Sequence, residues 1–375
     1  MMRTRAPGPT RLSASRPFAV ATLAYLGARA ITLLAVGVGN LFTHHGWVAD
    51  LSTWDGAWFL RAAEHGWPAQ LPSVGGHVAA SPLAFFPLFP LLIRAVAAIS
   101  GLGPGTVGLL LSGLGGLGAV WAVGALTRHF AGPAKAERAA LLFALSPGSF
   151  VFSLIYAEGI VIVLIALGLL ALLERRWWRA GVLGALASAT SPVGLAFAAS
   201  CAATALYQIL RRRTWSSLGA ALLSPMGFVL WTLYLWRHTG TFWAWRLTER
   251  YGWNSFPSLL YPLRVLGKFL TNPLSPTMTG QILFWGTLVS AYLVYLMFRE
   301  AQPLPVVAYG LAAVVLFATS SPVGLRPRFI MLAFPLTIAA ASRFEGRAYR
   351  LVLGLSVIGL ALMSVETLTS WAVFP

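Results

Sequence analysis

The chain has 375 residues, of which 58% are hydrophobic and only 10% are charged. Soluble globular domains carry about a quarter charged residues, so this composition excludes a soluble fold. The formal net charge of +17 does not indicate a nucleic acid partner here, because the basic residues lie in short segments between apolar runs. A single cysteine, Cys201, excludes a disulfide framework. The sequence therefore predicts an all-α polytopic membrane protein.

About 11 apolar segments approach the roughly 20 residues that a helix needs to cross the hydrocarbon core. The first is too long for the apolar region of a signal peptide and is interpreted as a retained span. We treat residues 1–375 as one transmembrane domain. The segments lie at 18–42, 105–127, 139–156, 158–174, 180–191, 193–210, 216–236, 280–298, 303–319, 329–342 and 350–369.

The basic residues separate by side if the N-terminus is cytoplasmic. On that orientation 17 of the 27 Lys and Arg residues fall inside and nine fall outside, as the positive-inside rule demands. Most acids and histidines then lie outside, in a first external loop over 43–104, a second over 237–279 and a short third loop over 320–328. Long loops in compact proteins are usually functional. We therefore expect an active site on the external side.

The first external loop carries two predicted helices. Residues 55–65 predict a short amphipathic helix with Asp55 at its N-terminus, where a carboxylate can cap free N–H groups. Residues 83–99 are apolar but contain two prolines and Arg94, and counting them as a span would place the basic run 128–138 outside. This stretch predicts a helix that lies at the membrane interface or is partly re-entrant.

Asp55 lies among aromatic residues, between Trp54 and Trp58. A carboxylate in this setting can act as a general base toward a sugar hydroxyl, while aromatic rings can stack on the sugar. The alternative is that Asp55 only caps its helix and that the tryptophans form an interfacial belt. Glu64 is nine residues further on and faces away from Asp55 on a straight helix, so a pair of carboxylates within this helix is not expected.

Three further sets of charged residues are candidates for binding. Glu158 lies between two apolar segments, where an acid is often paired or functional, although an acid at a span end can also be merely solvated. Arg326 and Arg328 flank a proline on the external side and suit either a phosphate or an anionic headgroup. Arg264 and Lys268, at i and i+4, share one helix face and offer a second phosphate or lipid contact.

Other motifs carry little chemistry. Residues 113–118 match G-x-G-x-x-G but lie inside an apolar span with no preceding strand, so they predict small-residue helix packing. Hydrolase and NTPase motifs are absent from the sequence. His44 and His45 are the only close pair of external histidines and cannot make a metal site alone. We therefore expect no metal and no cofactor.

Several stretches resemble one family. Residues 54–60, 63–67 and 85–94 resemble the opening of bacterial relatives of glycosylphosphatidylinositol mannosyltransferase II. Further matching stretches follow in the family's order, at 146–153, 156–158, 239–242, 326–329 and 334–336. The resemblance spans most of the chain. It implies a GT-C superfamily glycosyltransferase, with many membrane helices and interfacial helices in a catalytic first external loop.

The resemblance also implies a reaction. The family's enzymes move a sugar, here mannose, from a polyprenyl-phosphate donor to a lipid or glycan acceptor with inversion, on the extracytoplasmic face and without a metal. Asp55 would be the general base, and Arg326 and Arg328 would meet the leaving lipid phosphate. Membrane lipids are further partners, and the need for a partner subunit is left open. The remaining predicted substrate-binding residues are Trp54, Trp58, Glu64, His65, Glu158, Arg264 and Lys268.

Two positions depart from the family's pattern. Residues 190–194 lack a basic residue, and the stretch after Gly240 lacks an aspartate, which keeps open a catalytically inactive GT-C scaffold. A transporter or lipid flippase is a second alternative, with Arg29 and Glu158 lining a path. The richness in Ala, Gly, Arg and Leu resembles a bacterium with a GC-rich genome, which predicts a location in the bacterial plasma membrane.

Overall fold

The structure is a computed structural model that describes residues 16–43, 46–272 and 277–369, so the His44–His45 pair lies outside the described residues. The helices are α1 (Arg16–Thr43), α2 (Trp47–Leu51), α3 (Asp55–His65), α4 (Leu88–Ser100), α5 (Pro104–Ala131), α6 (Pro133–Ala144), α7 (Glu158–Leu173), α8 (Trp177–Ser188), α9 (Val193–Arg212), α10 (Leu218–Leu223), α11 (Met226–Thr239), α12 (Ala244–Leu247), α13 (Tyr261–Thr271), α14 (Met278–Arg299), α15 (Leu304–Ala318), α16 (Pro327–Leu332), α17 (Pro335–Arg343) and α18 (Gly346–Thr369).

Short elements connect these helices. Three 3-10 helices cover Pro82–Ala84, Pro147–Ser153 and Trp215–Ser217, and a π-helix covers Thr248–Gly252. Two antiparallel ribbons pair β1 (Ser73–Val74) with β2 (His77–Val78), and β3 (Phe256–Pro257) with β4 (Ser320–Ser321).

Six helical segments in the described part of the chain are long and apolar enough to cross a membrane, and a bent pair would make a seventh. The protein is therefore a multi-pass integral membrane protein. The predicted count of about 11 spans is not confirmed, because the other predicted segments form shorter or broken helices. The six segments are Ala19–Val38, Pro104–Ala131, Val193–Arg212, Trp215–Thr239, Met278–Arg299 and Gly346–Thr367.

The stretch predicted as one span over 139–156 is instead broken. Helix α6 ends at Ala144, Ser146 is extended with ψ of 148°, and the chain continues as the 3-10 helix Pro147–Ser153. A proline disfavours helical geometry at the residue before it, which explains why the helix ends here. The chain then bends by 115° into α7. The bend places Tyr156 and Glu158 where α7 begins.

Small residues bring α5 and α7 together. A Cβ on Gly159 would overlap the backbone of Gly115 and Gly116, and a Cβ on Gly116 would lie 2.6 Å from the Phe152 ring. Such close approach is possible only without side chains. These contacts confirm that the G-x-G-x-x-G stretch is a helix-packing surface.

The loops predicted to be external meet around the start of α3, whose observed bounds agree with the predicted 55–65. Helix α4 packs beside it, and Arg94 Nε donates to the Ala63 carbonyl at 2.6 Å. The π-helix Thr248–Gly252 rests on the first loop, since a Cβ on Gly252 would lie 2.8 Å from the Ala79 backbone. The second and third loops are joined by the β3–β4 pairing. The fold thus gathers three distant parts of the chain at one place.

Candidate active site

Arg328 joins two carboxylates. Its Nη1 lies 2.7 Å from Asp55 Oδ2, and its Nε donates to Glu158 Oε1 at 2.5 Å. The guanidinium carbon also lies 4.4 Å from the centre of the Tyr156 ring, which is fully buried. The side chain of Asp55 is 30% exposed, against 12% for Arg328 and 6% for Glu158. Asp55, Glu158 and Arg328 form one cluster, and Asp55 is the member of it that a substrate can reach.

Each member of the cluster is fixed by a backbone element. Asp55 and Glu158 are the first residues of α3 and α7, where the helix dipole favours negative charge. Arg328 is the second residue of α16. Gly148 holds the 3-10 helix Pro147–Ser153 directly against α16, because a Cβ there would overlap the Pro327 carbonyl. The position of Arg328 thus depends on a glycine almost two hundred residues earlier in the chain.

The Asp55 carboxylate has a partner outside its own helix. It forms an ion pair with Arg328, and the N-cap residue Trp54 makes no side-chain hydrogen bond to the start of α3. Trp54, just before it, has φ of 59°, a backbone conformation that non-glycine residues seldom adopt. Strain of this kind is commonly found at functional sites. The chain before Asp55 is thus held in a turn that aims this carboxylate toward Arg328.

The two tryptophans beside Asp55 have different surroundings. The Trp54 ring packs against the main core, and its Nε1 donates to the Thr367 carbonyl at 3.5 Å. Trp58 lies one helical turn after Asp55, stacks on Phe85 at 6.3 Å and meets the edge of Trp253 at 5.2 Å. Trp54 therefore anchors the turn, whereas Trp58 and Trp253 form an aromatic wall on the Asp55 side of α3.

Four of the predicted substrate-binding residues lie on the surface, with no contact to the cluster in the described structure. Glu64 and His65 are exposed and contact each other at 3.9 Å, between Oε2 and Nε2. Arg264 and Lys268 lie on the exposed part of α13. The shared face predicted for the last two is present, but the structure does not bring it to Asp55.

Arg326 lies close to the cluster. Its side chain is buried, and its Nη2 donates to the Pro322 carbonyl at 3.5 Å. Burial lowers the pKa of Arg326, and the nearby charge of Arg328 lowers it further against the opposing effect of Tyr261. An anion bound beside two neighbouring guanidinium groups would relieve their repulsion. Arg326 is therefore a candidate contact for an anion, whereas Arg328 is engaged by Asp55 and Glu158. The predicted role of the two arginines in phosphate binding stays a prediction.

Glu249 is a third acid near the cluster that the sequence pattern does not predict. It lies in the π-helix Thr248–Gly252, and its carbonyl accepts a hydrogen bond from Ser255 N at 2.7 Å. Burial raises the pKa of the Glu249 carboxyl to about 7. A separate side-chain hydrogen bond with Ser255 and the charge of Arg246 oppose this rise, and the Asp55 charge adds to it. The position of Glu249 in the sequence does not identify it as a site residue, because only the contact between the first and second loops brings it toward Asp55.

Arg29 is held by contacts inside the helix bundle. The transporter alternative instead has this residue lining a path. Its Nη1 donates to the Ser149 carbonyl at 2.6 Å and to Ser153 Oγ at 3.1 Å, and it lies 4.8 Å from the Tyr25 ring centre. Glu158, the other charge in that alternative, is held by Arg328. Arg29 therefore ties α1 to the 3-10 helix that supports the cluster.

Within the described residues, no group of three or more His, Cys, Asp and Glu side chains could hold a metal ion. A reaction without a metal or other cofactor stays a prediction.

Comparison with known proteins places the fold. No protein-family model matches the chain, and no curated protein matches it significantly. Among solved structures the chain is similar to ArnT from Cupriavidus metallidurans bound to undecaprenyl phosphate, with 16% identity, a TM-score of 0.52, and coverage of 88% of this chain and 62% of ArnT. It is also similar to the archaeal oligosaccharyltransferase AglB from Archaeoglobus fulgidus in complex with an inhibitory peptide and a dolichol-phosphate, with 12% identity, a TM-score of 0.50, and coverage of 96% and 56%.

At these identities the comparison shows the fold alone: the chain is folded like ArnT and AglB, in a GT-C-like arrangement. It spans about 62% of the length of ArnT and 56% of AglB. The narrower family that the sequence motifs resemble, glycosylphosphatidylinositol mannosyltransferase II, is not confirmed.

Proposed function

We propose that the protein is a membrane glycosyltransferase that moves a sugar from a polyprenyl-phosphate donor to a hydroxyl group of a lipid or glycan. The observation that carries this proposal is the cluster of Asp55, Arg328 and Glu158, in which one partly exposed carboxylate is held in place within a GT-C fold. The undecaprenyl phosphate of the ArnT structure and the dolichol-phosphate of the AglB structure support a polyprenyl-phosphate donor.

Asp55 is the general base in the proposed reaction. The acceptor hydroxyl gives its proton to Asp55 while its oxygen attacks the anomeric carbon of the sugar. The bond between that carbon and the phosphate oxygen breaks, and its electron pair leaves with the polyprenyl phosphate. Attack from the face opposite the leaving group inverts the anomeric configuration. Because Arg328 engages Oδ2, we assign Oδ1 to the acceptor.

The leaving phosphate gains negative charge, which nearby cations stabilise. Arg328 is already engaged by two carboxylates, so its main role is to position Asp55. We assign the primary phosphate contact to Arg326, two residues earlier. Trp58 and Trp253 offer ring faces and edges beside Asp55 against which a sugar can pack.

An apolar groove offers a place for the polyprenyl tail. It has a volume of about 450 Å³ and runs along α1 toward Trp47 of α2, the helix that precedes Asp55. A tail in this groove would stay in the hydrocarbon layer while the phosphosugar reaches the external loops. Its lining residues are Ala30, Leu33, Leu34, Gly37, Val38 and Trp47.

The sugar and the side of the membrane rest on sequence. We propose mannose because of the motif resemblance, and the external face of a bacterial plasma membrane because of the distribution of basic residues. The external histidines and acids of the loops lie on the same side as Asp55 in this topology.

The test is a transfer assay with the purified chain, radiolabelled polyprenyl-phosphate mannose and a total lipid and glycan extract. We expect a labelled product whose anomeric configuration, determined by NMR, is opposite to that of the donor. Donor binding without transfer of mannose or any other polyprenyl-linked sugar would favour the inactive scaffold. Failure to bind any polyprenyl phosphate would contradict the proposal and favour the transporter.

A further inference from the structure

A polar cavity lies at the end of the helix bundle opposite the cluster of Asp55, Glu158 and Arg328. Helix α7 begins at Glu158 in the cluster and runs for 16 residues, about 24 Å, to Leu173. There a cavity of about 330 Å³ lies between the ends of α7 and α9 and the start of α15. It is lined by Leu172, Leu173, Arg175, Thr204, Tyr207, Gln208, Arg212, Pro303, Leu304 and Pro305.

Two arginines give this cavity its charge. Arg212 is the last residue of α9, and Arg175 follows α7 with φ of 58°, a left-handed turn that ends the helix. Within the described residues no carboxylate forms a salt bridge with either arginine. The nearby acids are engaged elsewhere, Glu174 with Arg176 at 3.1 Å and Glu300 with Lys135 at 3.1 Å. The two guanidinium groups are therefore available to an anion.

The cavity also contains a buried hydrogen-bond acceptor. Gln208 Oε1 is buried and has no hydrogen-bond partner among the described residues. A buried acceptor left without a donor is costly, and a ligand hydroxyl would satisfy it. The hydroxyl of Tyr207, which lines the same cavity, can donate to or accept from the same ligand.

Three apolar helices have termini at the cavity, since α7 and α9 end here and α15 begins here. A membrane-spanning helix such as α9 ends where the hydrocarbon layer gives way to the headgroups, and from this we infer that the cavity lies at headgroup depth. Leu173 and Leu304 add apolar surface to the same lining. The bias of basic residues places this end on the cytoplasmic side, where basic pockets between membrane helices bind anionic headgroups.

We propose that this cavity binds the headgroup of an anionic glycerophospholipid, with Arg175 and Arg212 on its phosphate and Gln208 on a headgroup hydroxyl. Phosphatidylglycerol has both groups on one molecule. This site is separate from the proposed glycosyl transfer and does not depend on it.

The test measures lipid retention by native mass spectrometry of the full chain, purified in mixed micelles that contain equal phosphatidylglycerol and phosphatidylcholine. We expect the wild type to retain phosphatidylglycerol in preference to phosphatidylcholine. In R175Q/R212Q the ratio of the two retained lipids should fall about ten- to thirtyfold. The matched control is R179Q/R211Q, which removes the same charge from two exposed arginines outside the cavity lining. The control should keep the preference within about twofold, since neither arginine faces the ligand.

A second variant tests the role of the hydroxyl. We expect Q208L to lower retention of phosphatidylglycerol but not of phosphatidic acid, which lacks the headgroup glycerol. Equal losses in the two double variants, or no preference in the wild type, would overturn the proposal. Displacement of the lipid by soluble glycerol phosphate at similar concentration would also overturn it, because the site would then serve a soluble phosphate.

Discussion

Arg328 is the residue on which the cluster depends. It keeps apart two carboxylates that would repel each other, and it is the only link between α16 and the starts of α3 and α7 in the described contacts of this cluster. Lysine keeps the charge but lacks the planar fork that contacts both acids at once. The site therefore needs an arginine here for geometry as well as for charge.

Replacing Arg328 should destabilise the protein. In R328M the buried Glu158 loses its partner, and breaking a buried ion pair in this way costs about 3–5 kcal/mol. We expect a marked fall in the thermal unfolding midpoint in detergent, partly recovered in E158Q/R328M because the uncompensated charge is gone. R264M, at an exposed arginine, should unfold like the wild type. Strictly additive effects of E158Q and R328M would contradict the pairing.

Glu249 should make stability depend on pH. Burial raises its pKa from the ordinary 4.5 to about 7, so the unfolded chain holds fewer protons than the folded chain between these values. The contribution of Glu249 to stability is therefore full below about pH 4.5 and is lost as the pH rises toward 7.

The measurement is the unfolding midpoint of E249Q relative to wild type at pH 5 and pH 8. We expect the variant to gain stability relative to the wild type at pH 8, since it has no charge to bury. The matched control E64Q, at an exposed acid, should show no such change. A difference between E249Q and wild type that does not vary with pH would show that Glu249 does not titrate in this range.

A residue of the site is predictable from sequence where its type is unusual for the segment in which it lies. Asp55 among tryptophans, Glu158 between apolar segments and Arg328 on the predicted external side all stand out as residue types that do not suit their surroundings. The contact between them does not follow from spacing, because they lie on three separate parts of the chain. The role of Glu249 cannot be predicted from sequence for the same reason. An acid in a polar loop is common, and only the packing of the loop buries it.

At the scale of elements, the 3-10 helix Pro147–Ser153 and α16 form the support of the site. They meet at Gly148, where any side chain would push against the Pro327 carbonyl and shift Arg328. We expect G148A to lower the transfer rate about tenfold or more, since small displacements of positioning groups are costly in catalysis. The control G267A changes a glycine of α13 that has nothing within 4 Å, and should leave the rate unchanged. Full activity of G148A would show that this contact does not position Arg328.

The helices and strands differ in how local the sequence pattern is that predicts them. Helix α3 follows from an amphipathic pattern within 11 residues, and α1 and α5 follow from long apolar runs. The break after α6 is marked in sequence by Ser146-Pro147-Gly148, but apolar residues on both sides make the stretch look like one span. The ribbon of β3 and β4 joins residues more than 60 positions apart and has no local signal.

At the scale of the whole molecule, the chain separates two polar sites by the length of its helices. The loops predicted to be external gather acids, aromatic residues and two arginines around α3, whereas the opposite end carries a basic cavity without acids in its lining. The distribution of basic residues predicts this polarity from sequence, since it depends only on charge and span order. The number of spans is harder to predict, because several apolar helices are too short to cross a membrane alone.

In the proposed reaction Asp55 removes the proton from the acceptor hydroxyl. The most direct measurement compares D55N with wild type and with E64Q on the same helix, using sugar transfer and donor binding in the same preparation. We predict that D55N loses transfer by about 10²–10⁴-fold, as expected for a general base, while donor binding and the E64Q rate stay within about threefold of wild type. Transfer by D55N at close to the wild-type rate, in protein that binds the donor, would show that Asp55 is not the base.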